Sequence, residues 1–214
     1  MNKLIVYGIL TGGLIYLFRL FKRSAYNRRR KYIDNYVFPE SIKSKLLEAY
    51  PNLTTYQVNE VMKGLKEYFH ICNMAGQKFV SMPSKVVDLA WHEFILFTLK
   101  YQNFCSKAFA RFLHHTPAEA MRTRTTAQEG IQRAWMLSCK RENINPKSPA
   151  KLPLLFRLDD TLHIPNGFLY KRDCKNSFGD AYCAGDIGCG SSDVGCGSSS
   201  CGGNSCSSGC GGGD

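Results

Sequence analysis

A mainly α fold is predicted, on three observations. Apolar residues recur at helical spacing through most of residues 38–143. Residues that start and stop helices bracket those stretches. The gaps between them are short, so four or five helices pack as a small orthogonal bundle rather than as a long coiled coil. Around this bundle the sequence predicts an N-terminal transmembrane helix, an extended arm, and a disordered Gly/Ser/Cys-rich C-terminal tail.

The first segment is residues 1–31. Residues 4–18 read LIVYGILTGGLIYLF, fifteen positions without a charge. At about 1.5 Å per residue, and counting on to Phe21, the stretch covers roughly 22–27 Å, a little less than a hydrocarbon core of about 30 Å. Gly8-x-x-x-Gly12 is compatible with helix pairing in lipid. Only Lys3 precedes the run, while Arg19, Lys22, Arg23, Arg28, Arg29, Arg30 and Lys31 follow it. Charge after the run argues for an uncleaved anchor and against a cleaved signal peptide. The expectation is a single-pass protein of the inner (plasma) membrane with its C-terminal domain cytoplasmic. Residues 19–31 would then sit on anionic headgroups. The alternative is secretion after signal cleavage.

The helical domain spans 38–143. Pro39 opens a helix that Pro51 stops. Thr54-x-x-Gln57 is a capping box. Behind it Val58, Val61, Met62, Leu65, Phe69 and Cys72 keep helical spacing up to Gly76. Ser84 caps a helix running from Lys85 to beyond Tyr101. Thr116-Pro117-x-Glu119 and Thr126-x-x-Glu129 are two further starts, the second opening a helix to about Arg141.

Residues 144–175 change character. Pro146, Pro149 and Pro153 mark a linker. Apolar or alternating runs at 154–158 and 163–170 predict a hairpin or an arm laid on the bundle.

The tail is residues 176–214. From 185 onward, 24 of 30 residues are Gly, Ser or Cys, too few apolar groups to bury a core. The tail carries four Asp and no Lys or Arg, which leaves residues 1–175 at +15 (28 basic against 13 acidic) within a net charge of +11. That balance invites a nucleic-acid partner, but the densest basic run abuts the apolar segment and is explained there, so nucleic acid is not expected. Cys189, Cys196, Cys201, Cys206 and Cys210 lie 7, 5, 5 and 4 apart, with no C-x-x-C. Zinc-ribbon spacing is therefore absent, although soft thiolates on a flexible chain can still gather Zn(II) or Cu(I).

The densest chemistry is Asp88-x-x-Trp91-His92-Glu93, followed by Tyr101, Cys105 and His114-His115. Asp88 and His92, four apart, share a helix face. The carboxylate can orient the imidazole, as at metal sites, or simply lock helix packing. A zinc-protease motif fails, since His92-Glu93 is followed by Phe94, Ile95 and Leu96. On a continuous helix Cys105 lies about 20 Å from His92. His114 and His115 reach His92 only if the chain reverses near residues 105–110. A His-only site from His70, His92 and His115 is conceivable. No Cys stands beside a His with catalytic spacing, and His70 and Cys72 point roughly 200° apart. No phosphate loop or dinucleotide fingerprint is present.

The run VVDLAWHEFILFTLKYQNFCSKAFARFLHHTP resembles the glycine-rich domain-containing protein-like family. The matching positions are Asp88, Trp91, His92, Tyr101, Cys105 and His114 or His115. The second His of many relatives is Phe94 here, and the Gly that usually follows the Cys is absent, with Ala110 nearby. The resemblance implies a helical domain of unassigned biochemical role, small and membrane-associated in bacterial members.

Taken together, an uncharacterised, membrane-anchored interaction or scaffold module without catalysis is expected, with an unknown protein partner. One alternative is a metal-handling protein using tail thiols or a His cluster. Another is an enzyme using Asp88 and His92 as a base pair in a pocket lined by Trp91 and Tyr101.

Overall fold

The structure is a computed structural model that describes residues 2–115, 124–172, 182–183 and 187. The described residues form seven helices: α1 (Asn2–Asn35), α2 (Glu40–Ala49), α3 (Thr55–Ala75), α4 (Lys85–Leu96), α5 (Thr98–Phe109), α6 (Arg124–Glu142) and α7 (Leu154–Thr161). Two short strands, β1 (Tyr170–Lys171) and β2 (Tyr182–Cys183), pair in parallel with Tyr170 opposite Tyr182.

Helix α3 is the axis of the fold and packs against each of the other helices. It starts where the capping box places it: the Gln57 amide donates to Thr54 Oγ1 at 3.2 Å and the Thr54 amide donates to Gln57 Oε1 at 2.8 Å. Its apolar positions are buried, and toward its end His70, Ile71, Cys72 and Asn73 are buried in succession. A helix enclosed on nearly all sides needs close approach somewhere, and Gly64 provides it. A Cβ there would lie 2.6 Å from Leu158 Cδ1 and 3.0 Å from Val87 Cγ2, so glycine lets α7 and α4 close onto α3.

Helix α1 joins the bundle only in its last third. Ile33 is fully buried, whereas residues 10–24 are all exposed. Among the described residues no helix is long and apolar enough to cross a membrane. α1 is long, but its uncharged run ends at Arg19 after fifteen residues, about 22 Å, and the same helix continues through Lys22, Arg23 and the basic residues 28–31. The expected single-pass anchor is therefore corrected. With it go the inner-membrane placement with a cytoplasmic domain and the contact of residues 19–31 with headgroups.

The arm is also different from expectation. Its first half is helix α7, buried on α3 and α4 through Leu154, Leu155, Phe156 and Leu158. A short apolar run between prolines suits a strand or one buried helical face equally well, and burial against α3 decides for the helix. The start expected at Thr116-Pro117-x-Glu119 lies outside the described residues, as do Cys189, Cys196, Cys201, Cys206 and Cys210 of the tail. α6 begins at Arg124, so Thr126 is inside the helix rather than its cap.

Asp159 on α7 governs the start of α4. Its carboxylate accepts from Ser84 Oγ (2.7 Å) and from the amides of Lys85 (2.7 Å), Val86 (3.3 Å) and Phe168 (2.9 Å), and it is 2% exposed. A helix start leaves unpaired amides and a partial positive charge, and a buried carboxylate satisfies both. A second clasp joins α6 to α3: Arg141 donates to both Glu67 oxygens, Nε at 2.6 Å and Nη2 at 2.8 Å.

Candidate metal centre

α4 carries Asp88 and His92 one turn apart. His92 Nδ1 lies 3.4 Å from Asp88 Oδ2. The next residues decide what joins them. α4 stops at Leu96, and Phe97 leaves helical geometry (φ −80°, ψ 59°) before α5 begins. Neither glycine nor proline causes this. On one unbroken helix Phe94 and Phe104 would be about 15 Å apart along the axis. With the break their ring centroids are 5.3 Å apart, and both are fully buried. Burial of aromatic surface is worth more than the few helical hydrogen bonds lost at one turn.

α5 then ends on Ala110 in the left-handed region (φ 54°, ψ 28°), its N–H bonded to Ser106 O. The chain reverses there, and residues 111–115 run back over α4. Tyr101 holds this return: its hydroxyl donates to Leu113 O at 2.5 Å and accepts from Trp91 Nε1 at 3.1 Å. Burial pushes the Tyr101 phenol far up, so it stays a neutral donor. His115 thereby arrives at the site. Its Nε2–H donates to Asp88 Oδ1 at 2.9 Å, its ring lies 4.0 Å from that of His92, and the Trp91 indole packs edge-on at 4.5 Å.

Asp88, His92 and His115 each offer one ligand atom, and the three atoms all lie within 4.8 Å of one another. His115 is 11% exposed, Asp88 30% and His92 46%, so the cluster has a packed side and an open side. Two imidazoles and one carboxylate on one edge leave coordination positions free for water or a further ligand. His92, the most exposed, is the side chain free to turn onto an ion.

The other predicted residues are placed elsewhere. His114 is exposed and packs on Phe112. Cys105 is fully buried, its thiol pushed up by burial, in the same apolar layer as Phe104. Trp91 and Tyr101 are buried and bonded to each other, so they do not line the open pocket that an enzyme using Asp88 and His92 calls for.

His70 does not join the cluster. It is 2% exposed on α3, and its Nε2–H donates to Asp34 on α1 at 2.7 Å. Desolvation by burial, with a smaller push from Arg141, lowers its pKa below the usual histidine value, against the opposing pull of Asp34 and Glu67. The sign of the pH dependence follows. Below about pH 6.5 the unfolded chain binds a proton that the folded chain resists, so stability is lost as pH falls through that window. Melting curves between pH 7 and pH 5 should show this loss, and His70→Asn should show a smaller one. Equal losses in both proteins would assign the effect to other groups.

Sequence comparison adds a family. Residues 28–187 match the UCP032817-like family. The chain belongs to this family. The UCP032817-like match covers the bundle, α7, the strands and all three cluster residues. It leaves out α1 up to residue 27 and the glycine-rich end from 188. The UCP032817-like family is uncharacterised, and the expected membership of the glycine-rich domain-containing protein-like family is corrected by it. The quoted motif follows from packing, with Trp91, Tyr101 and Cys105 buried where α4 folds back on α5, so it marks a helix pair more than a named family. No curated protein and no solved structure matches this UCP032817-like chain.

Proposed function

We propose that the chain is a metal-binding protein in which Asp88, His92 and His115 hold one divalent transition-metal ion. The supporting observation is the convergence of the three ligand groups from α4 and the returning loop, all within 4.8 Å. One carboxylate with two imidazoles suits zinc or iron(II) better than calcium or magnesium, which favour all-oxygen sites. The Trp91–Tyr101–Leu113 chain beneath the cluster gives it the rigid support that metal sites use.

Elemental mass spectrometry on the full chain, purified anaerobically, tests this. About one equivalent of divalent metal per chain is expected. His115→Ala and Asp88→Ala should each weaken affinity by at least about 100-fold. Serine at Cys189, Cys196, Cys201, Cys206 and Cys210 should leave that equivalent in place. Metal lost with the tail cysteines alone would move the site to the tail.

A second reading, an interaction module, draws on α1. Leu10, Leu14, Leu17, Phe18 and Phe21 are all exposed there, more apolar surface than a lone helix normally leaves to water. Metal-free protein in every sample would leave this reading as the better one.

A further inference from the structure

A cavity that none of Asp88, His92 and His115 lines lies between the end of α3, the turn after α5 and the last third of α1. Its volume is about 260 Å³, and Arg29, Cys72, Asn73, Phe109 and Arg111 line it. We propose that it binds the phosphate group of a small molecule. This goes beyond the metal reading and stands independently of it.

The donors carry the argument. Asn73 is 9% exposed, and its Nδ2 has no hydrogen-bond partner among the described residues. A buried amide donor left unpaired costs about 1–3 kcal/mol, so a missing acceptor is implied. Arg29 has no ion pair or hydrogen bond among the described residues. Arg111 gives Nε (3.1 Å) and Nη2 (2.6 Å) to Gly76 O and Nη1 to Phe112 O at 3.4 Å. Those carbonyls fix the guanidinium in place but do not balance its charge, and none of the lining residues is acidic. Arg29, Arg111 and the unpaired Asn73 therefore line one cavity in which none of the described lining residues supplies an anion.

The ligand class follows from charge and size. Two arginines suit a dianion better than a monocarboxylate, and planar guanidinium forks fit phosphate oxygens. The neighbouring Arg28 and Lys31 add to the local positive potential, while Arg30 is paired with Asp34 at 4.0 Å. The volume falls below the roughly 300–1,000 Å³ of pockets for drug-sized ligands, so the phosphate carries only a small remainder. Phe109 offers that remainder an apolar wall. Cys72 is no nucleophile here, because burial pushes its thiol up to about 12.

Titration calorimetry on the full chain, with inorganic phosphate and with ethyl phosphate at constant ionic strength, tests the assignment. One saturable site is expected, with ethyl phosphate bound at least as well as phosphate. Arg29→Gln should weaken both by at least about tenfold. Because Arg29 has no hydrogen bond or ion pair among the described residues, the ligand-free melting temperature of the variant should stay close to that of the unmodified chain. Arg111→Lys keeps the charge but loses the fork, and should also weaken binding. No saturable binding, equal binding by Arg29→Gln, or acetate bound as tightly as phosphate would overturn the proposal.

Discussion

Asp159→Ala is expected to lower the melting temperature by roughly 8–16 °C. The carboxylate is buried and accepts four hydrogen bonds, from Ser84, Lys85, Val86 and Phe168. Alanine would leave these donors without their acceptor, the Ser84 and Val86 bonds being buried and those of Lys85 and Phe168 half-buried. Each unsatisfied donor costs about 1–3 kcal/mol, and a charge at the first turn of a helix adds to the loss. The effects are not additive, and about 4 kcal/mol is a reasonable total. At about 2–4 °C per kcal/mol for a domain of this size, that gives the stated drop. Asp159→Asn should recover only part of it, because an amide turns an N–H toward donors. A melting temperature within about 3 °C of the unmodified chain would mean that water or Ser84 alone can cap α4.

Tyr101→Phe is the second large effect, and it reaches the proposed metal site at Asp88, His92 and His115 without touching it. The substitution keeps the ring and removes one oxygen. That oxygen serves Trp91 Nε1 and Leu113 O, both inside the protein. Two orphaned groups cost about 2–4 kcal/mol. The returning loop also loses the bond that pins it two residues before His115. Affinity for added Zn(II), read by competition with a chromophoric chelator, should fall about tenfold. A variant that melts earlier but binds Zn(II) as tightly as before would show that packing of His115 on Trp91 suffices to place it. That outcome would reduce Tyr101 to a purely structural residue.

Local signals in the sequence were informative, and long-range ones were not. The Thr54–Gln57 capping box and the Ser84 cap depend on a few adjacent residues, so they could be read directly, and both are present. The Asp88–His92 pairing was legible for the same reason, from helical spacing alone. The break at Phe97 was not, because nothing in Ile95-Leu96-Phe97-Thr98 disfavours a helix. The chain bends there for the sake of contacts between Phe94 and residues ten positions on. The sequence could name His115 as a candidate only on condition of a reversal near residues 105–110, and the left-handed turn at Ala110 supplies that reversal. Helix α7 was hidden by three prolines and a short apolar run that fits two secondary structures. Hydropathy marks residues 4–18 as an anchor, but the charges beginning at Arg19 belong to the same helix.

The polar clasps have a consequence in time. Ser84 and Lys85 meet Asp159 across 74 or 75 residues of chain, and Glu67 meets Arg141 across 74. A ribosome adding about 5–20 residues per second needs roughly 4–17 s to go from residue 84 to Phe168. During that interval the emerging α4 has Ser84 but no carboxylate at its start, and α3 lacks two of its neighbours. The carboxylate cap of α4 and two packing partners of α3 therefore arrive only after α1 to α5 have been made, so these clasps close last on helices that are already in place.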